Sequence, residues 1–279
     1  MTALQDLSEI INRGTGGNSG SPENLFLFKD ARVAAAAAAA TIAGRITSLW
    51  QYNGNPSGGV APTTVAVPTN ATDGSLKQTN PGGGRQKWLL GATATSSAAG
   101  TLLIYDRLLH IGNLSGTVAT AQTVGGTLTR YTGTASVGNQ IWLEIYTQIG
   151  ATRTTVSSIY TDQDGNSSTT QTTDIGNTGL REAQRIIPLT LASGDSGVRG
   201  VTSVTLAATT GTAGNFGISI VRPLMIIPLG LLGCGSVRDL IAGLPGIIEI
   251  QPDACISFAW LANSTAAPQI IGSLHMIES

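Results

Sequence analysis

The sequence predicts a mainly β protein, an antiparallel β-sandwich/jelly-roll-like body or a barrel, with an extended N-terminal arm carrying a short helix. Three observations predict it. After residue 45, short apolar runs recur at the spacing of strands, and apolar and polar residues alternate with a period of two. Between these runs stand clusters of Gly, Asn, Pro and Thr, with 36 glycines among 279 residues, and such clusters supply the turns that antiparallel strands need. Helix-period patterns are confined to the start of the chain and to two short stretches near 180–185 and 236–242.

Taken in order, residues 3–13 place Leu4, Leu7, Ile10 and Ile11 at helical spacing, and the Gly-rich stretch 14–20 ends that helix. A helix this short is marginal alone in water, so its apolar stripe needs a cover, either a partner or its own domain. Asn24, Leu25, Phe26, Leu27 and Phe28 form a short apolar strand, which could add to the sheet edge of a neighbour. Residues 34–40 are all Ala and fit either a helix or a closely packed extended segment. Residues 1–43 are therefore expected to be the arm and residues 44–279 the body.

Within the body, residues 46–52 alternate as a half-buried strand. The stretch 53–84, with almost no charge, is too long for an ordinary connection, and is expected as an excursion ordered by a neighbour or as a mobile loop. Further strands are expected at 85–90, 101–109, 127–131, 140–148, 154–161, 185–191, 202–207, 216–221, 225–229, 247–250, 254–261 and 270–277. In the strand from Gln140, Ile141, Leu143 and Ile145 share one face, while Trp142, Glu144 and Tyr146 share the other.

Composition narrows the function. Only 11% of residues are charged and 41% are hydrophobic. Charge normally keeps protein surfaces apart, so a chain this poor in it points to a subunit buried among companions, or to work outside the cell. The net charge of -1 and scattered basic residues such as Arg130, Arg153, Arg181 and Arg199 give no stripe for nucleic acid. The longest apolar run, 223–234, is too short for a membrane span and is broken by Pro228 and Gly230, which favours a buried strand pair. The first residues lack a basic start followed by an apolar core, so no secretory signal is expected. Cys234 and Cys255 read as two small buried thiols, with a single bridge as the alternative.

Several motifs touch on chemistry without completing it. The run Gly82, Gly83, Gly84, Arg85, Gln86, Lys87 has the wrong spacing for a phosphate loop and continues as a strand, so a turn is expected. Asp162, Asp164 and Asn166 resemble the opening of a calcium loop, but Thr173 stands where the closing Glu would be, and Asp164-Gly165 is a favoured hairpin turn. His110 and His275 lack a recognisable nucleophile. Asp106, Glu144, Glu182 and Glu249 are the strand-associated acids, and no spacing pairs two of them across a cleft. No catalytic, cofactor-binding or metal-ligating residue is assigned, no cofactor is expected, and the chain is not expected to be an enzyme.

In texture, most of the chain resembles virion proteins of tailed bacteriophages, above all the head decoration (cement) proteins. The stretches that carry this are 14–32 (GTGGNSGSPENLFLFKDAR), 125–133 (GGTLTRYTG) and 204–217 (VTLAATTGTAGNFG). The resemblance implies a β-rich subunit, often trimeric, that sits on the capsid surface and clamps neighbouring capsid subunits. Its partners would be the major capsid protein or other virion proteins, with no membrane and no nucleic acid, and it would be made in the host cytoplasm. Two other readings stand beside it: a tail, baseplate or adhesin subunit that binds a cell-surface glycan, and a polysaccharide-degrading enzyme.

Overall fold

Every pairing between the named strands is antiparallel, and the pairings divide seventeen strands among a closed barrel and two further sheets. The structure, a computed structural model, describes residues 8, 10, 22–34, 41–241 and 246–278. The barrel consists of β2 (Ile46–Ser48), β5 (Gly100–Leu114), β7 (Gln140–Thr147), β11 (Arg185–Leu189), β13 (Asn215–Leu229) and β16 (Ile256–Ala262). A six-stranded sheet runs in the order β14 (Ser236–Asp239), β4 (Lys87–Ser96), β17 (Gln269–Glu278), β1 (Pro22–Ala34) and β3 (Tyr52–Asn55), with β15 (Ile248–Ile250) also paired to β4. A five-stranded sheet runs in the order β10 (Thr173–Ile175), β8 (Thr154–Asp162), β12 (Val198–Leu206) and β6 (Gln122–Thr123), with β9 (Ser167–Thr169) beside β8. Closing a sheet removes its free edges. The mainly β expectation holds, but the body is a barrel between two sheets rather than a two-sheet sandwich.

The spine is β5 paired with β13 from Gly100 opposite Leu229 to Leu114 opposite Phe216. The half near Gly100 turns Leu102 and Ile104 outward with Phe258 and Trp260 of β16, against Leu274 and Met276 of the six-stranded sheet. The other half packs Leu109 and Ile111 with Ile141, Leu143 and Phe216 against Val201 and Val204 of the five-stranded sheet. Between the two halves, Ile220 pairs with Leu109 and Val221 with Arg107, so Leu108 is an extra residue. Such a bulge reverses which side chains face inward and bends the strand. One long strand pair thereby serves two cores.

Close backbone approach fixes this crossing. At Gly217 of β13, a Cβ would fall 1.7 Å from the Ile111 carbonyl oxygen, far inside van der Waals contact. That atom belongs to the barrel wall and cannot swing aside. Gly217→Ala is therefore expected to cost several kcal/mol, about 3 or more by analogy with overpacked and strained sites. A thermal melt within a degree or two of the parent would refute this.

Several expectations need correction. Asn24 to Phe28 belong to β1, which pairs with β17 and β3 of its own chain instead of a neighbour's edge. The helix expected over 3–13 and the alanines 35–40 lie outside the described residues, apart from Ser8 and Ile10. Stretch 53–84 is ordered by its own body. Ala66 bridges His110, Leu76 bridges Ile256, and the Trp50 indole N–H donates to the Val60 carbonyl at 2.9 Å. Gly59 and Gly74 lie so close to the Trp50 ring that any side chain there would strike it.

The strand expected over 127–131 is a loop held by Arg130, and residues 236–239 form strand β14 where a helix was considered. Residues 180–184 are turns and bends without a helix, and Arg185 opens strand β11. The run 223–234 is not a strand pair, since 223–229 belong to β13 and 230–234 form a turn. Among the described residues, no helix is long and apolar enough to cross a membrane.

Candidate functional site

The inward face of the barrel is polar at its centre. Tyr105, Trp142, Ile186, Val221 and Ala259 line part of it. By the same alternation Arg107, Glu144, Tyr146 and Ser219 also point inward. Arg107 Nη2 donates to the Glu144 carboxylate, to Tyr146 Oη at 2.8 Å and to Ser219 Oγ at 2.9 Å. Its guanidinium lies over the Trp50 ring, 4.4 Å from the centroid, and Trp50 meets His110 edge-on. All six side chains are buried.

Charge is held firmly here. Burial works against the Arg107 cation, but Glu144, Tyr146 and Tyr105 outweigh it and hold its pKa above the ordinary value. Burial, with Glu144 second, pushes the Tyr146 hydroxyl up. Burial and then Arg107 drive His110 down to about 3, so the imidazole is neutral at physiological pH and cannot serve as a base poised near 7. The arrangement has the parts of a proton-transfer site, each of them buried. The cluster is a buried core that is paired in part: Arg107 Nη2 meets Glu144, while Arg107 Nε and Nη1 and His110 Nδ1 have no hydrogen-bond partner among the described residues.

The other expected carboxylates are engaged separately. Asp106 projects from the opposite face of β5 and takes a two-pronged contact from Arg130, both bonds 2.9 Å, plus the Cys255 N–H at 2.8 Å. Arg130 also donates to the carbonyls of Pro68 and Arg107, both at 3.0 Å, and so ties stretch 53–84 to the barrel wall. Glu182 accepts the Gly179 N–H at 2.9 Å, and Glu249 meets the Gln86 amide at 3.4 Å. The pleat puts Asp106 and Glu144 on opposite sides of the wall, so they do not face one cleft.

The remaining sequence candidates are turns and packing groups. Asp162 Oδ1 accepts the N–H groups of Asp164 and Asn166, both at 2.8 Å, and Gly165 has φ +95°. This is the hairpin from β8 to β9, whose turn is capped by the Asp162 carboxylate. Gly82 accepts the Arg85 N–H at 3.0 Å in a turn, and Lys87 is buried with its ammonium on Glu23 at 2.5 Å. His275 lies 3.3 Å from Ser273 Oγ. Cys255 is buried as expected, but Cys234 is exposed, and the two are unpaired.

Sequence reasoning missed the Arg107–Trp50–His110 stack, because nothing in the spacing of those residues connects them. It also missed how far the charge is internalised: among the described residues, nine charged side chains are buried. The surface left behind carries exposed apolar groups, among them Leu231 (70%), Leu232 (66%) and Val237 (69%). This surface is the better candidate for function.

No protein-family model matches the chain, and no curated protein matches it. Among solved structures, it aligns with the Gt strain of infectious bursal disease virus at 9% identity and a TM-score of 0.20, covering 93% of this chain and 80% of that one. It also aligns with T=1 particles derived from infectious bursal virus at 10% identity and a TM-score of 0.19, covering 93% and 77%. Likeness at these scores carries no argument about fold or function.

Proposed function

We propose that this chain is a structural, non-catalytic virion component that decorates or cements a bacteriophage capsid by bridging neighbouring capsid subunits. The observation that carries the reading is the placement of charge. Only 11% of the chain's residues are charged, and among the described residues nine of those side chains are buried. Its outer surface is left with little repulsion and with apolar side chains standing free, the character of a surface used for association. The resemblance of 14–32, 125–133 and 204–217 to decoration proteins points the same way.

In this reading the Leu231–Leu232 turn, which follows β13, is an apolar anchor for a pocket on the major capsid protein. The working form is a homo-oligomer, with a trimer favoured, on the capsid surface after synthesis in the host cytoplasm. A subunit that binds only the assembled shell stabilises that shell by mass action. The glycan-binding alternative has less support, because Trp50, Trp142 and Trp260 are buried and offer no platform for a sugar.

Electron microscopy of the native particle tests the proposal, with density for this chain expected repeatedly over the head lattice. Density confined to the tail, or a copy number of a handful, would overturn it. Leu231→Ser combined with Leu232→Ser is expected to weaken attachment to purified shells by about tenfold or more, since a buried anchor residue contributes over 1 kcal/mol.

A further inference from the structure

We propose that the apolar stripe of residues 3–13 docks on the outer face of the six-stranded sheet of its own chain. That face is built in register. Val237 lies opposite Thr93, Thr93 opposite Ser273, and Ser273 opposite Phe26. The next row places Thr95 opposite Ile271 and Ile271 opposite Phe28. Their strand neighbours Leu27, Ala92, Ala94 and Leu274 are buried on the inner side, so the pleat sends these rows outward. Phe26 is 55% exposed, Val237 69% and Ile271 44%. Neither row contains an acid or a base, so the face suits an uncharged, apolar occupant.

Residues 3–13 supply one of matching size and chemistry. As a helix they would run about 16 Å, and the four strands from β14 to β1 span about 14 Å. Leu4, Leu7, Ile10 and Ile11 would share one side, with Asp6, Glu9 and Arg13 on the other. Ser8 is exposed and Ile10 half-buried, in keeping with that division.

The tether decides for the same copy. Pro22 opens β1 within this very sheet, and Phe26 stands four residues further on. From Pro22 to Thr93 is about 16 Å, four residues along the strand and two strands across. The Gly-rich residues 14–21 have a mean span of about 15 Å. A tether matched to its target gives an effective concentration of order mM, roughly 10³ above a 1 μM solution of other copies.

This inference does not rest on the shell-binding proposal, and its test uses the isolated full-length subunit. With Cys234→Ser to remove the exposed thiol, Ile11→Cys is combined either with Ser273→Cys on the face or with Thr202→Cys, exposed on β12 of the other sheet. Under mild oxidation at about 1 μM, the Ser273→Cys pair is expected to bridge within the monomer about 10³-fold faster than between copies. It should also form far more bridge than the Thr202→Cys pair. Covalent dimers as the main product would assign the face to a second copy, and equal yields from both pairs would mean no docking; either overturns the proposal. Without engineered cysteines, Leu4→Asp with Leu7→Asp should raise the binding of a hydrophobic dye severalfold. Unchanged dye binding would count against it as well.

Discussion

Arg107→Met is expected to destabilise the fold by about 3–5 kcal/mol, because it leaves Glu144 buried without its cation. The cost comes from the carboxylate, whose partners would shrink to Tyr146 Oη at 3.2 Å and Ser219 Oγ at 3.5 Å. Glu144→Leu alone should cost a similar amount by stranding the guanidinium, which has no water to retreat to inside the barrel. Combining Arg107→Met with Glu144→Leu should recover most of the loss, since an apolar pair replaces two desolvated charges. Denaturant midpoints of the four proteins give the coupling directly. Single variants that lose under 1 kcal/mol would mean that the barrel interior admits water and is not sealed.

Lys29 supplies the second large effect. It lies on the buried face of β1, and its ammonium donates to the carbonyls of Tyr52 at 2.8 Å and Ser57 at 3.4 Å. Burial lowers its pKa to about 7. In the unfolded chain the group stays protonated up to its ordinary value near 10.5. Between these two values the unfolded state binds more protons, so stability rises with pH. From pH 7 to about 8.5 the gain from this residue is about 1.5 kcal/mol. At higher pH the buried Tyr105, Tyr146 and Cys255 and the half-buried Tyr131, all raised first by burial, act in the opposite direction. Lys29→Met should therefore be more stable than the parent at pH 7 and lose the rise toward pH 8.5. Parallel stability curves for the two proteins would show that the ammonium reaches water.

Local pattern was enough to find most strands, because each needs only alternation and a turn at its end. The strand from Gln140 to Thr147 follows from Ile141, Leu143 and Ile145 alone, and the Asp164-Gly165 hairpin from two residues. Short strands whose apolar signal is weak escaped, such as Thr173–Ile175 and Ser236–Asp239. Their place is set by partners β8 and β4, which are distant in sequence. The helix considered at 236–242 failed for the same reason, since β4 offered that segment an unpaired edge.

By itself, the sequence determined that this protein is antiparallel β and sparsely charged. These properties reside in composition and short-range periodicity, which each segment carries independently of the rest. Only the tertiary structure decided that six strands close into a barrel, that β1 is an internal strand rather than a donated one, and that Arg107 meets Glu144, Trp50 and His110. Those outcomes depend on contacts between residues many positions apart and on one-residue shifts such as the Leu108 bulge, which a strand's own pattern does not encode.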